Sequence, residues 1–151
     1  MSTFSARALS VILVVLGLTN IFLGINTGFG GLETLGWQGD GVFFQVTDEH
    51  LYIIRDSHTR FYGGLYIAIG IFLIIAATNA PRYRTGLHLV FGMIFAGGLA
   101  RLSVLRGDVI FDSDLATSLM IELIGMPLLV LWLRRVVSTA KSRPTIPAAV
   151  S

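Results

Sequence analysis

The chain has no cysteine. Disulfides, thiolate nucleophiles and cysteine-ligated metals are therefore excluded. Charge is scarce too. Only 13% of its 151 residues are charged, against about a quarter in an ordinary soluble domain. No Gly-x-Ser-x-Gly, His-Glu-x-x-His or phosphate-cradling glycine loop is present, and no motif calls for a cofactor or a metal. Gly28-Phe-Gly-Gly-Leu32 is only a turn signal. What fills the chain is apolar: 54% of residues are hydrophobic, mostly in long runs. These proportions describe a membrane protein of one domain.

A helical span needs about 20 mostly apolar residues. Four segments meet or approach that length: 8–28, 60–79, 85–105 and 115–133. The expected fold is an all-α four-transmembrane-helix bundle over residues 1–137, with a disordered tail at 138–151. Segments two and three join through the tight basic turn Ala80-Pro-Arg-Tyr-Arg84. Segments three and four join through the short acidic stretch Gly107–Asp114. Residues 29–59 form the single long loop. Its apolar middle, Gly41-Val-Phe-Phe-Gln-Val46, suits the membrane surface, and Phe43 and Phe44 could lid a site.

Charge sets the direction. Arg7, Arg82, Arg84, Arg134, Arg135, Lys141 and Arg143 fall on one side of this arrangement, and the loop acids fall on the other. Basic residues are retained in the cytoplasm. Both termini are thus expected on the cytoplasmic side of the membrane, with the long loop extracytoplasmic. A cleaved signal peptide is a competing reading of segment one, but no clear small-x-small site follows Leu18. A dual-topology antiparallel dimer would need a weaker charge bias. The basic C-terminal residues suit anionic lipid, and nothing suggests nucleic acid. Expected partners are the bilayer and a homo-oligomer or larger membrane complex.

Helical spacing gathers small and polar residues on common stripes. Segment one carries Leu13, Gly17, Asn20, Gly24 and Thr27 on one face. Segment two carries Arg60, Gly63, Ile67, Gly70, Ile74 and Ala77. Segment three carries Val90, Ile94, Gly97 and Arg101, and segment four Ser118, Glu122, Gly125, Leu129 and Trp132. Small residues let helices approach closely in lipid, so the polar residues are expected on packed faces. Depth along the spans places Arg60, Arg101 and Glu122 in one outer-leaflet cluster, with Asp56 and His58 at its mouth. An Arg–Glu pair offsets much of the cost of a charge in the membrane. Such a pair can equally pin helix register or bind a ligand. Asp56 and Ser57 read as the N-cap of segment two, and Asp56 stands four residues before Arg60, a spacing that suits an ion pair. His58 reads as a solvent-facing loop residue or a proton carrier. Tyr62, Tyr66 and Trp132 read as interfacial anchors, and Pro127 as a kink.

Three motifs add a resemblance. They are Asp56–Tyr66 (DSHTRFYGGLY), Gly97–Ser103 (GGLARLS) and Glu122–Trp132 (ELIGMPLLVLW). Together, across roughly Leu9 to Arg135, they resemble a family of small bacterial four-helix membrane proteins known as a domain of unknown function. That family is distantly similar to DoxX-type bundles. The resemblance implies that Asp56, Arg60, Gly64, Arg101 and Glu122 are signature positions, and it implies no activity.

Three functional expectations follow. The first is a non-enzymatic accessory or small subunit that packs against partner helices or its own copies. The second is a binder or carrier of a lipid-like or anionic small molecule, held by Arg60 and Arg101 and walled by Tyr62 and Tyr66. The third is a membrane enzyme using Glu122 or His58 as acid or base.

Overall fold

Asp48 opens the second helix and corrects its expected start. Its carboxylate oxygen Oδ1 accepts from Leu51 N–H at 3.0 Å, and its carbonyl accepts from Tyr52 N–H at 3.0 Å. A side-chain oxygen satisfying a free first-turn N–H is what an N-cap supplies. The helix then runs unbroken from Glu49 to Thr78. Asp56 and Ser57 therefore sit two turns inside it and cap nothing, and His58 stands on a helix, not in a loop. Much of the expected loop at 29–59 is helical for the same reason.

The computed structural model describes residues 3–34, 45–104, 107–111 and 113–141. The expectations for Gly41–Phe44, and for the tail beyond Lys141, lie outside the described residues. The described residues are helical, with no strand among them. Helix α1 is Thr3–Gly30 and leads into a 3₁₀ turn, Gly31–Thr34. Helix α2 is Glu49–Thr78 and α3 is Arg84–Arg101, extended by a 3₁₀ turn at Leu102–Val104. A short α4 (Gly107–Ile110) occupies part of the expected acidic loop. Helix α5 (Ser113–Met120) continues through a π-helical turn, Ile121–Gly125, into α6 (Met126–Lys141). Helicity thus reaches beyond 138, where the sequence reading began the tail. Three stretches are long and apolar enough to cross a membrane: Phe4–Thr34, Glu49–Thr78 and Leu115–Thr139.

The chain divides into two compact units, Val11–Thr78 and Met1–Ser10 with Asn79–Ser151. In the first, α1 and α2 run antiparallel along a glycine seam. Gly17, Gly24 and Gly31 recur every seven residues, and so do Asp56, Gly63, Gly70 and Ala77. A seven-residue repeat keeps one face on its neighbour over many turns. A Cβ on Gly17 would lie 2.7 Å from Ile74 Cγ1 and 2.8 Å from Gly70 O. A Cβ on Gly24 would lie 2.7 Å from Gly63 O, and one on Gly63 would collide with the backbone of Gly28. The helices touch backbone to backbone, the contact that small residues permit in lipid.

In the second unit, α3 packs against α6 and the π-turn. Its core includes Leu9, Leu87, Phe91, Leu119, Met126 and Leu133. Asn79 organises the turn into α3, accepting from Arg82 N–H with both its carbonyl (3.0 Å) and its Oδ1 (3.2 Å). Gly98, not Gly97, is the contact glycine. A Cβ there would lie 2.8 Å from Glu122 Cβ, whereas Gly97 has nothing within 4 Å.

The bend expected at Pro127 takes the form of the π-turn just before it, where Met126 N–H bonds Ile121 O, five residues back. Proline has no N–H to give to the carbonyl four residues behind it, so the ladder shifts register at that place. On both sides of the turn the buried face includes Leu119, Met126 and Leu133 at seven-residue intervals, one position later than Ser118, Gly125 and Trp132 of the expected stripe, whereas Leu129 of that stripe is buried as expected.

Candidate functional site

Two ion pairs, Asp56 with Arg60 and Arg101 with Glu122, hold four of the ionisable residues that the sequence singled out, each within one unit. In the first unit, the seam ends where Asp56 replaces glycine on α2 and Gly31 ends α1. Gly31 has φ +65°, the left-handed conformation that turns a chain out of a helix and favours glycine. Asp56 Oδ1 accepts from Leu32 N–H at 2.8 Å. Asp56 Oδ2 accepts from Arg60 Nε at 2.6 Å. Arg60 Nη1 donates to Phe29 O at 2.5 Å.

This is a closed clasp. The last carbonyls of a helix lack intrahelical partners, and a cation near them is favoured by the helix dipole. Arg60 supplies that cation to α1, and Asp56 orients Arg60 from one turn away while receiving the N–H beyond Gly31. Thr34 Oγ1 lies 3.1 Å from Asn26 O and 2.9 Å from Gly31 O, serving a second terminal carbonyl. Nearby, the Tyr52 hydroxyl donates to the Glu33 carboxylate.

In the second unit, Arg101 Nε lies 3.3 Å from Glu122 Oε2. The Glu122 side chain is mostly buried and stands in the π-turn, while Arg101 is exposed. Glu122 Oε2 accepts no hydrogen bond among the described residues, so the pair is electrostatic and poorly aligned. Both Glu122 and Leu123 reach Gly98, because the widened turn brings neighbouring positions to one face.

The remaining candidates are occupied locally or face outward. Asn20 Nδ2 donates to Leu16 O at 2.8 Å within its own helix. His58 is exposed. Tyr62 is exposed and meets Phe61 edge to face, with ring centroids 6.0 Å apart. Tyr66 is exposed as well. Among the described residues, no group of three His, Asp or Glu side chains could hold a metal ion. The sequence reading missed the backbone partners of the clasp. Their signal was present in the seven-residue spacing that links Gly31 to Gly24 and Asp56 to Gly63.

Three long apolar helices, a glycine seam between two of them and ion pairs on otherwise apolar elements define a helical protein of membrane type. Residues 8–133 match the family described as "Domain of unknown function (DUF4345)". The chain belongs to that family. No curated protein and no solved structure matches it.

Proposed function

We propose that this protein is a non-enzymatic component of the bacterial inner membrane that docks against partner helices, its own copies or another membrane protein. The observation that carries this reading is the division of its glycines. Gly17, Gly24, Gly63 and Gly70 are closed against one another across the seam, whereas Gly64, Gly92 and Gly97 have nothing within 4 Å of a Cβ. Gly64 and Ala68 share the exposed flank of α2 with Phe61, Ile71 and Ile75. Gly92, Ala96 and Ala100 share the exposed face of α3, opposite Leu87 and Phe91. Small residues four apart on a lipid-facing helix are the usual ground for close helix association. Glycine is a poor helix former, and a place with room for any side chain gives no internal reason for it.

The four-span arrangement belongs to this proposal. Helix α3 has 18 residues, about 27 Å at 1.5 Å per residue, close to the roughly 30 Å of the hydrocarbon core. Its terminal Arg84 and Arg101 can extend toward the two interfaces. The basic residues then place both termini in the cytoplasm and the connection between α1 and α2 outside.

The absence of native cysteine makes the test direct. Single Gly64→Cys and Gly92→Cys variants, labelled in membranes with a photoreactive maleimide, should yield protein–protein adducts on illumination. Leu65→Cys, on another face of α2, should yield fewer. Adducts with lipid only at all three positions would overturn the proposal.

A second reading rests on Glu122 Oε2, buried without a hydrogen bond beside Arg101. A small anionic or lipid-like molecule bound at Arg101 is the alternative. It predicts that Arg101→Ala releases a ligand seen by native mass spectrometry, and it fails if the bound species are unchanged.

A further inference from the structure

The second unit carries an open groove of about 490 Å³ between the first turns of α1 and the middle of α6. Phe4 and Ala8 form one wall, and Leu128 and Leu131 form the other. Trp132 Nε1 donates to Ser5 Oγ at 2.9 Å and ties the walls together. Among the described residues, the only charged one lining it is Arg135.

The order of these residues along the groove is informative. Helix α6 reaches Arg135 one turn after Leu131 and two turns after Leu128. The guanidinium therefore stands at one end and the aliphatic wall runs away from it. On α1, Ala8 lies one turn beyond Phe4. A groove that is cationic at its mouth and apolar along its length matches an anionic headgroup with a hydrocarbon chain behind it. Phe4 is 76% exposed, and Leu128 and Leu131 are also exposed, so the walls are open to such a chain. A tryptophan with its N–H engaged at the polar end is the side chain favoured at a membrane interface, and basic pockets between helices are the sites that anionic headgroups choose.

We infer that this groove binds one anionic phospholipid, its phosphate on Arg135 and one acyl chain against Leu128 and Leu131. The site is separate from the open glycine faces, and either can fail without the other.

Native mass spectrometry of the full chain, delipidated in detergent and titrated with phosphatidylglycerol or phosphatidylcholine, tests this. The wild type should retain phosphatidylglycerol about fivefold more strongly, the worth of one basic side chain near an anionic headgroup. Arg135→Gln should remove that preference, and Arg134→Gln, outside the groove, should keep it. Leu131→Trp should fill the groove and weaken both lipids, and Leu128→Trp repeats that test at a second wall position. Glycerol phosphate, which has no acyl chain, should not compete. Equal retention of the two lipids by the wild type, an unchanged preference in Arg135→Gln, undiminished binding in both tryptophan variants, or displacement by glycerol phosphate would each overturn the inference.

Discussion

Arg60 is a residue whose role changes once its atoms are placed. On an apolar helix an arginine invites a ligand. Here its Nε and Nη1 are engaged by Asp56 and by the end of α1. Its service to the fold is concrete: it fills the vacancy at a helix C-terminus and fixes the exit through Gly31. Arg60→Ala and Asp56→Ala should each lower stability by about 0.5–1.5 kcal/mol, the net worth of an ordinary hydrogen bond, because Arg60 is partly exposed and solvent offsets part of the loss. Asp56→Asn should lose less, because its amide oxygen still accepts from Leu32 N–H. The double alanine variant should cost little more than the larger single one, since both remove the same network. Thermal unfolding in detergent measures all four. Additive losses would mean that the two residues act separately.

The residue scale also marks where sequence reasoning stopped. Asp56 and Arg60 could be paired from their spacing alone, and the ion pair is present. The clasp needed Phe29 O and Leu32 N–H, two backbone groups with no signature of their own. A helix start is legible only through its cap, and Asp56-Ser57 reads as one because the apolar run begins just after it, whereas the cap is Asp48. The charged and polar residues scattered through 49–59 hid eleven helical positions.

At the scale of elements, the glycine seam was legible. Gly17, Gly24, Gly63 and Gly70 were on the expected stripes, and they are the residues that meet. Segment four was legible only in part: Leu129 of its expected stripe is buried, but Leu119, Met126 and Leu133 are buried one position after Ser118, Gly125 and Trp132. The offset already stands at Leu119, before the π-turn, so it belongs to the angle of the whole stripe. Gly97 and Gly98 were separated for a similar reason, since adjacent positions differ by about 100° around a helix and sequence fixes the angle no better.

The π-turn makes a prediction at this scale. Such turns occur mostly as single turns inside α-helices, often at functional sites. Deleting Ile124, which is exposed, together with Pro127→Ala, which restores the missing N–H, should give an ordinary α-helical ladder. The helix should survive while Glu122 turns away from Gly98 and Arg101. Circular dichroism should therefore stay helical, and a double-mutant cycle on Arg101 and Glu122 should lose its coupling. Full coupling in the deletion variant would contradict this. A Gly63→Val substitution belongs to the same scale. Its side chain would meet the backbone of Gly28, so the seam must open, at a cost of about 1–3 kcal/mol or more.

The whole molecule carries two kinds of glycine. One kind holds α1 and α2 together, and the other faces outward with room to spare. The proposed direction of the chain rests on its charge bias, and it predicts that a reporter fused to the C-terminus is active only in its cytoplasmic form. A large extracytoplasmic fraction would reopen a dual-topology arrangement.

The most direct measurement is native mass spectrometry of the full chain extracted in mild detergent, compared with a Gly64→Leu/Gly92→Leu double variant. We expect the wild type to carry a second protein chain, identical or different, and the double variant to release it with its unfolding temperature unchanged. A wild-type protein that is strictly monomeric, or a double variant that keeps the same assembly, would contradict it.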